Sequence, residues 1–554
     1  MYGDGATGGV INIITRTPTQ LGGTGRINVR SGSYGTTEVQ ASGGYFSGEA
    51  GVDMTASKLG AQGYRANNRN HQTNAQANFR WLTEAGELAF KLGMDSQAIR
   101  LPGARTVQPA LGINQVATDP RGAATPLDYA SRDGSQLALD WQHTLGTADL
   151  NIGLASRSKN QKSYFDFGGF PTYRDGDLNV TSFTPRIRLS HAVGGDSSLV
   201  FGMDVHRWRY GQRISNSAAN IGQPINTISM NQQNNAWYLQ NTTHLSAATT
   251  LLAGVRNERI SMSGSDVFNA AAPGGTGLWG PNSSAAPAGS FAASRNAYEL
   301  GLHHQLESGL AINGKIGRSF RFANVDEIYE SGPAFTNQFQ FLRPQTADGL
   351  EFGVSRLTQS ASWNATVFSN KVRDEIHLDP FSTGVGNTNL PPSRRQGVEL
   401  GGKWQALPQL ALNANYTYTD ARFLSGVMPG SAFTQLNVNI AGKRVPLVAS
   451  QKANLGASWA ISEQTRMNTA LTYVGSQFME NDEANALGMK IPAYSLIDIK
   501  LVHEIKGWQV NASVNNLLDR KYFNYAVSSQ FTPGKYNAYT LPGRTIFLGL
   551  SYQQ

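Results

Sequence analysis

The chain has 554 residues, 60 of them glycine and none cysteine, with 15% charged residues and a formal net charge of +8. No run of about 18 apolar residues occurs, which excludes transmembrane helices. No Lys/Arg block or basic–aromatic tract stands behind the positive charge, so nucleic acid is excluded as a partner, and high glycine with low charge points to an all-β chain. The lack of cysteine fits passage through an oxidising compartment, and no secretory leader opens the chain.

Period-two alternation of apolar and polar residues, broken by Gly/Asp/Ser/Asn clusters, predicts strands at 23–32, 36–46, 50–60, 71–82, 86–99, 134–145, 149–160, 180–193, 197–211, 230–246 and 249–262. The pattern continues at 294–306, 310–322, 345–358, 362–376, 393–405, 409–423, 447–460, 466–478, 492–505, 508–522 and 543–553, a total of 22 strands. Tight turns such as Ser47-Gly-Glu-Ala50, Gly194-Gly-Asp196 and Lys506-Gly507 alternate with long polar loops at 100–133, 161–179, 263–293, 323–344, 377–392, 424–446 and 523–542. Strict alternation of short and long connections is the mark of a barrel crossing an outer membrane. The predicted fold is therefore an all-β, closed, 22-stranded antiparallel transmembrane β-barrel.

Tryptophan placement gives an independent reason. Trp81, Trp141, Trp363, Trp404, Trp459 and Trp508 fall at the tight-turn ends of their strands, on the apolar parity. An indole prefers the lipid–water boundary, so these residues form a girdle.

At the N-terminus, Gly3-Asp-Gly5-Ala-Thr-Gly8 matches a dinucleotide-binding fingerprint, but no strand precedes it and Val10–Thr15 reads as a strand rather than a helix. Tyr2-Gly-Asp-Gly-Ala-Thr-Gly-Gly-Val-Ile-Asn-Ile-Ile-Thr-Arg-Thr-Pro18 instead resembles the last segment of the plug domain in TonB-dependent outer-membrane receptors. Gly317-Arg-Ser-Phe-Arg-Phe-Ala-Asn-Val-Asp-Glu-Ile-Tyr329, Leu342–Gly353, Arg394-Arg-Gln-Gly-Val-Glu-Leu400, Asn516-Leu-Leu-Asp-Arg-Lys-Tyr522 and Pro542-Gly-Arg544 are similar to further segments of that family, in family order. The resemblance implies a plug remnant at 1–18 and a receptor barrel at 19–554. It also implies a monomer, in contact with outer-membrane lipid and lipopolysaccharide and driven by the TonB-ExbB-ExbD energy-coupling system, in the outer membrane of a Gram-negative bacterium. The expectation is that the coupling box and most plug-borne ligand contacts lie outside this sequence, leaving a water-filled lumen, and the non-aromatic end Tyr552-Gln-Gln554 departs from the family pattern.

Strand parity names lumen residues. On the ninth strand Phe201, Met203 and Val205 face lipid, so Asp204, His206, Trp208 and Tyr210 face inward, while Arg207 and Arg209 continue the lipid-facing row toward anionic headgroups. On the eighth, Arg186 and Arg188 face inward, and on the sixteenth Arg395, Glu399 and Lys403 do. Inward arginines near Trp208 and Tyr210 suit an anionic, partly aromatic ligand, because guanidinium binds carboxylates bidentately. Loop 161–179 adds Tyr164, Phe165, Phe167, Phe170 and Tyr173, and loop 331–343 adds Phe335, Phe339 and Phe341 as capture aromatics.

His303 and His304 lie on opposite faces of one strand and do not share a metal, and no catalytic triad or paired-acid arrangement occurs at reactive spacing. Asp166 and Asp175-Gly-Asp177 offer carboxylates of the kind that hold Ca²⁺ in cobalamin receptors, but two or three carboxylates in a loop read first as solvated. No cofactor and no enzyme activity are expected. The expected function is energy-dependent uptake of a scarce metal chelate, first of all a ferric siderophore. Cobalamin or another anionic cofactor is the alternative within the family, and a passive porin the alternative outside it.

Overall fold

The computed structural model describes residues 3–9, 22–166, 169–275, 284–331, 337–379, 386–429, 437–529 and 532–554. A single 22-stranded sheet dominates it. Its first half comprises β1 (Gly22–Gly32), β2 (Thr36–Phe46), β3 (Ala50–Ala61), β4 (Asn70–Thr83), β5 (Gly86–Arg100), β6 (Tyr129–Leu145), β7 (Ala148–Asp166), β8 (Pro171–His191), β9 (Asp196–Ser215), β10 (Asn226–Ser246) and β11 (Thr249–Phe268). The second half comprises β12 (Gly289–Gln305), β13 (Leu310–Arg321), β14 (Gln345–Leu357), β15 (Ala361–Arg373), β16 (Ser393–Leu407), β17 (Leu410–Phe423), β18 (Gln451–Ala460), β19 (Thr465–Val474), β20 (Tyr494–Ile505), β21 (Trp508–Asn515) and β22 (Thr545–Gln553). Each strand pairs antiparallel with its sequence neighbours, and β1 closes on β22 from Arg26↔Gln553 to Gly32↔Phe547.

All the predicted strands are present, with shifted ends. At Asn516 (φ 51) and Leu447 (φ 59) the backbone turns left-handed, so β21 stops at Asn515 and β18 starts only at Gln451. The larger difference is at the loop end of β6–β12. Most of the predicted loop 161–179 is strand, because β7 runs to Asp166 and β8 begins at Pro171, which puts Tyr164, Phe165 and Tyr173 on strands. The alternation that marks a lipid-facing strand stops near Leu154 and Phe183 because the strands leave the apolar zone there, although their hydrogen-bonded ladder continues.

Above that level the polarity of the wall inverts. On β11 the outward residues change from Val255 to Asn257, Arg259, Ser261, Ser263 and Ser265, while the inward ones change from Gly254 and Arg256 to the buried Ile260 and Met262. On β10 the outward Trp237 and Leu239 give way to Asn235, Gln233 and Asn231, and the inward Met230 and Ile228 are buried. Water lies outside this part of the wall and protein inside it. Trp237 and Tyr298, both outward and exposed, mark the upper edge of the apolar belt, and Trp81, Trp363, Trp404, Trp459 and Trp508 mark the lower. Arg207 and Arg209 lie on the exposed, outward parity of Met203, beyond that upper edge.

Several tight turns pass through positive φ, at Gly48, Gly146, Gly194 and Gly309 among others. Lys506 (φ 44) and Gly507 (φ 84) form a two-residue connection, the geometry whose twist matches that of the flanking strands.

Because the chain lacks cysteine, single cysteines report this layering. In bilayer-embedded protein, Ser261→Cys is expected to react readily with a membrane-impermeant maleimide. Val255→Cys should stay unlabelled, and Ile260→Cys should react at least roughly tenfold more slowly than Ser261→Cys, as expected for a buried side chain. Equal rates at 260 and 261 would remove the inverted wall.

Candidate functional site

Inside the barrel, β11 presents Arg256 and Glu258 on its inward face, 4% and 2% exposed. Arg256 Nη2 donates to Glu258 Oε2 at 2.8 Å, and Nη1 donates to Asp204 Oδ2 of β9 at 2.6 Å. Glu258 Oε1 accepts from Asn234 Nδ2 of β10 at 3.0 Å, and Asn234 Oδ1 accepts from Gln232 Nε2 at 2.7 Å. The guanidinium carbon lies 5.5 Å from the centroid of the Tyr238 ring. A charge survives such burial only when it is paired and hydrogen-bonded, and here one cation holds two carboxylates while amides serve the remaining lone pairs.

Residues 3–9 rest on this network. A Cβ on Gly3 would stand 2.5 Å from Arg256 Nη2, so a larger residue there would push the guanidinium against its carboxylate partners. Asp4 Oδ1 accepts from the Phe322 backbone N–H at 2.7 Å, which joins the N-terminal segment to the loop leaving β13. Burial, opposed by that N–H and reinforced by the Glu258 charge, pushes the Asp4 carboxyl up to about 6.

The loop after β13 folds inward. Asn324 caps a short helical turn, Val325–Ile328, by accepting from Asp326 N at 3.0 Å, and Glu327 Oε2 accepts from Asn324 N at 3.0 Å. Val325 and Ile328 pack with Phe320 and Phe322 against Ile228, Met230, Ile260 and Met262 of the inverted wall. Above them Phe291 stacks on Phe341 at 5.7 Å, and Tyr329 tilts against Phe339 at 5.4 Å. Gly264 and Gly289 permit this, since a Cβ there would stand 2.7 Å from Phe339 Cε1 and 2.9 Å from Phe341 Cε2 respectively. Tyr329 donates its hydroxyl to Asp266 Oδ2 at 2.9 Å, which pins the loop to the rim.

Neighbouring loops interlock over the mouth. Glu330 accepts from Asn387 N at 2.5 Å, tying the loop after β13 to the hairpin Glu375–Asp379/Gly386–Leu390. That hairpin reaches the loop after β19 through His377 Nε2, 3.4 Å from the buried Glu483 Oε1. Burial pushes the His377 imidazole down, but the Glu483 contact and the Glu480 and Glu375 charges outweigh it, so its proton is held above the ordinary range. On the other side, Phe523–Ser528 and Tyr536–Thr540 form one sheet with Arg105–Gln108 and Ile113–Asn114, joining the loops after β21 and β5. The buried Arg65 guanidinium, which donates to the Gly103 and Gly122 carbonyls, fastens the loop after β3 beneath them.

The sequence-predicted ligand residues do not form one cluster. His206, Trp208 and Tyr210 lie on the inward face of β9, where His206 Nδ1 meets Ser182 Oγ at 2.8 Å, Tyr210 hydrogen-bonds Asp326, and the buried Trp208 Nε1 has no hydrogen-bond partner among the described residues. Arg186 stands opposite Gly202 and Trp208 opposite Val180, so they are six strand positions apart (208 − 202), which is ~20 Å. The inward arginines therefore sit far below the aromatics they were expected to join. Arg188 faces Asp149 across the β7–β8 pair. Arg395 is committed to Glu375 at 2.6 and 2.8 Å and to Ser393 Oγ at 3.0 Å. Phe170 is exposed at the β7–β8 tip and Tyr173 is buried on β8 opposite Tyr164, while Phe339 joins the aromatic stack. Phe167 and Phe335 lie outside the described residues. Asp175 pairs with Arg213 at 2.7 Å.

Sequence reasoning missed Arg256, Glu258 and Asp4. The Arg256-x-Glu258 spacing on the inward parity of a predicted strand was a readable signal, because two like-facing opposite charges lie within reach of each other. Asp4 carried no local signal, since its partner is 318 residues away.

Two pH dependences follow. A carboxyl whose folded pKa is raised contributes stability present below its unfolded value of 3.8 and lost as pH rises through about 6. Docking of residues 3–9 is therefore tightest in acid, and amide exchange at Phe322, corrected for intrinsic rate, should quicken between about pH 4 and pH 7. Asp4→Asn, which keeps the acceptor, should flatten that profile, and a flat profile in the unsubstituted protein would refute the assignment.

For His377 the sign is the same: the contribution is full below 6.5 and lost as pH rises through the raised folded value. Alkaline pH should release the hairpin at 375–390 from the loop at 475–493, read as faster protease nicking there. His377→Gln should nick at one rate at all pH values. Persistent pH dependence in His377→Gln would assign the effect to another group.

Comparison with known proteins completes the description. A sequence profile described as TonB dependent receptor-like, beta-barrel matches residues 60–517. The ferrioxamine receptor of Yersinia enterocolitica is 24% identical over 204 residues, 35% of this chain and 26% of that protein. A probable TonB-dependent siderophore receptor of Acinetobacter baumannii is 24% identical over 221 residues, 39% of this chain and 28% of that one. The matched stretches thus span less than a third of these relatives. Among solved structures, the ferric yersiniabactin uptake receptor of Yersinia pestis superposes with a TM-score of 0.79 at 16% identity, covering 100% of this chain and 84% of that chain. The siderophore receptor PiuA of Acinetobacter baumannii gives a TM-score of 0.79 at 13% identity with the same coverage.

Proposed function

The chain belongs to the TonB-dependent receptor-like β-barrel family, and from that premise we propose that it takes up a scarce metal chelate across the outer membrane of a Gram-negative bacterium. The chelate is a ferric siderophore, and uptake is driven by the TonB-ExbB-ExbD system. The observation that carries this reading is the cluster of aromatic side chains at the barrel mouth under interlocked loops, built on an inverted wall and joined through Phe322 and Asp4 to the lumen network. A chelate docking at the mouth meets aromatic side chains, and the contacts beneath them connect that cluster to a segment of the chain inside the barrel. The relatives' names support the cargo class, being receptors for ferrioxamine and ferric yersiniabactin.

In this reading the exposed Phe170 makes first contact at the rim, and the packed Phe339 and Tyr173 hold the wall behind it. Trp208, Tyr210 and His206 line the path below, Arg186 and Arg188 give the deeper lumen wall its positive charge, and Arg395 stands at the mouth on Glu375. Residues 1–18 act as the C-terminal remnant of a plug domain. The protein is a receptor rather than an enzyme. Cobalamin or another anionic cofactor is the second cargo, and a passive porin is the competing reading.

The test uses the full-length protein in receptor-deficient cells and in detergent. Iron-55 uptake should occur with at least one of ferrioxamine B, a ferric catecholate or ferric citrate, and should stop on addition of a protonophore. Trp208→Ala should weaken binding of that chelate roughly tenfold, the scale of losing one buried aromatic contact, with a smaller loss for Arg186→Ala. Uptake that persists with the protonophore would establish a porin. Binding of cobalamin with no ferric chelate bound would replace the cargo.

A further inference from the structure

The upper part of β12 lacks a neighbour on one side. Tyr298 pairs with Arg318, and above that level no residue of β13 pairs with β12. Phe320 and Phe322 draw β13 inward there, because both are buried in the cluster that holds Ile260 and Met262 of the inverted wall. On its other side β12 stays paired with β11, without a register break, as far as Gly289. Residues 289–297 are therefore an open strand edge at the rim of a closed ring.

Backbone parity says what this edge presents. Gln305 donates its N–H to the Ala248 carbonyl at 2.8 Å, so the odd-numbered residues of β12 serve the β11 side. The N–H and C=O of one residue point the same way, and the direction alternates along an antiparallel strand. Ser290, Ala292, Ser294 and Asn296 thus direct both groups toward the place that β13 leaves. Among the described residues no backbone group bonds them there. A side chain covers one of them: Arg295 Nη1 donates to the Ser294 carbonyl at 2.9 Å. The outward side chains of the same residues are exposed and uncharged. Proteins commonly blunt a free edge with proline, lysine or a bulge. None of these occurs over 289–297. Such an edge takes up another extended chain by strand addition.

Charge and position narrow the partner. A cleft of about 370 Å³ opens beside Ser294 and Asn296, bounded by Arg318, Thr346 and Arg373. Arg318 and Arg373 share one carboxylate, Asp348, at 2.6 and 2.7 Å. Asp374, which also lines the cleft, is taken by Arg343 at 2.8 Å. Arg295 has no carboxylate partner among the described residues. The cleft therefore keeps a surplus of positive charge that an acidic side chain complements. A second copy in the same membrane does not fit, because its β12 runs in the same direction and an antiparallel pair needs the reverse. Ser290 lies eight positions above Tyr298 (298 − 290), ~26 Å along the strand and ~20 Å in height at a usual barrel tilt. That is beyond the headgroup layer, within reach of a soluble chain.

We propose that residues 289–297 dock an extended acidic segment of another protein outside the cell, which pairs antiparallel with β12 where β13 turns away and sets a carboxylate in the cleft at Arg318 and Arg373. The proposal rests on the membrane placement given above and is independent of the cargo.

The experiment uses the full-length protein in detergent. Hydrogen exchange resolved to single amides should show Ala292, Ser294 and Asn296 exchanging at least roughly tenfold faster than Ala293 and Arg295, whose N–H groups serve β11. A synthetic peptide of alternating threonine and valine, with one glutamate near its N-terminus, should slow the fast positions on binding. The same peptide N-methylated on its bonding residues should not bind. Ala292→Pro removes a free-side N–H, a change tolerated on an edge, so it should keep the melting temperature and weaken the peptide roughly tenfold. Arg318→Gln should weaken the glutamate peptide and leave its glutamine counterpart unchanged. Slow exchange at both parities in the free protein would overturn the open edge, as would a fall in melting temperature for Ala292→Pro. Equal binding of the N-methylated peptide would overturn strand pairing. An undiminished preference for glutamate in Arg318→Gln would overturn the role of the cleft.

Discussion

A bilayer core offers no water to hydrogen-bond an exposed peptide group, so a β-sheet crosses it only as a closed ring. The 22 strands satisfy this by pairing each to its neighbours and β1 to β22. Closure fixes the remaining choices. Once the ring is shut, side-chain parity sorts every residue to lipid or lumen, and connections at one end remain free to lengthen. The loops that cover the mouth are built from that freedom.

The same ladder supports two opposite solvents along its length. Through the apolar belt, leucine and valine face out and charges such as Arg256 and Asp204 face in; beyond it, serine and asparagine face out and Ile260 and Met262 face in. Nothing in the backbone marks the boundary, which is set by what lies on each side. The upper wall thereby acts as half of a soluble sandwich, with residues 322–330 and 337–342 as its other half. This makes the loop end of the barrel a packed protein core above its apolar belt. The Asp4–Phe322 hydrogen bond is where that core meets the segment inside the barrel.

Strand count, order and lipid-facing parity were legible in the sequence, because lipid imposes a period of two that survives any loop. Trp81 and Trp404 were readable for the same reason. The upper half of β7 and β8 was not. Lys162, Asn160 and Asp175 break the apolar pattern there, yet their backbones stay paired because water also accepts a β-ladder. Parity placed Arg186 and Trp208 in the lumen but said nothing of height, and the ~20 Å between them emerges only from register. The loop contacts, His377 to Glu483 and Arg65 to Gly122, join segments with no shared period and leave no trace in alternation.

The seam between β1 and β22 also sets an order of events. Its contacts are the most distant in the chain, as in the Ser33–Ile546 hydrogen bonds across 513 residues. Loop-closure entropy and high contact order make such pairing the slowest step available to a folding chain. Until residue 553 has been made and delivered, both terminal strands are open edges that any other strand can pair with. The barrel is therefore most exposed to aggregation when it is almost complete. The short, glycine-bearing β1 and the nine-residue β22 give a foreign strand little ladder to hold during that interval.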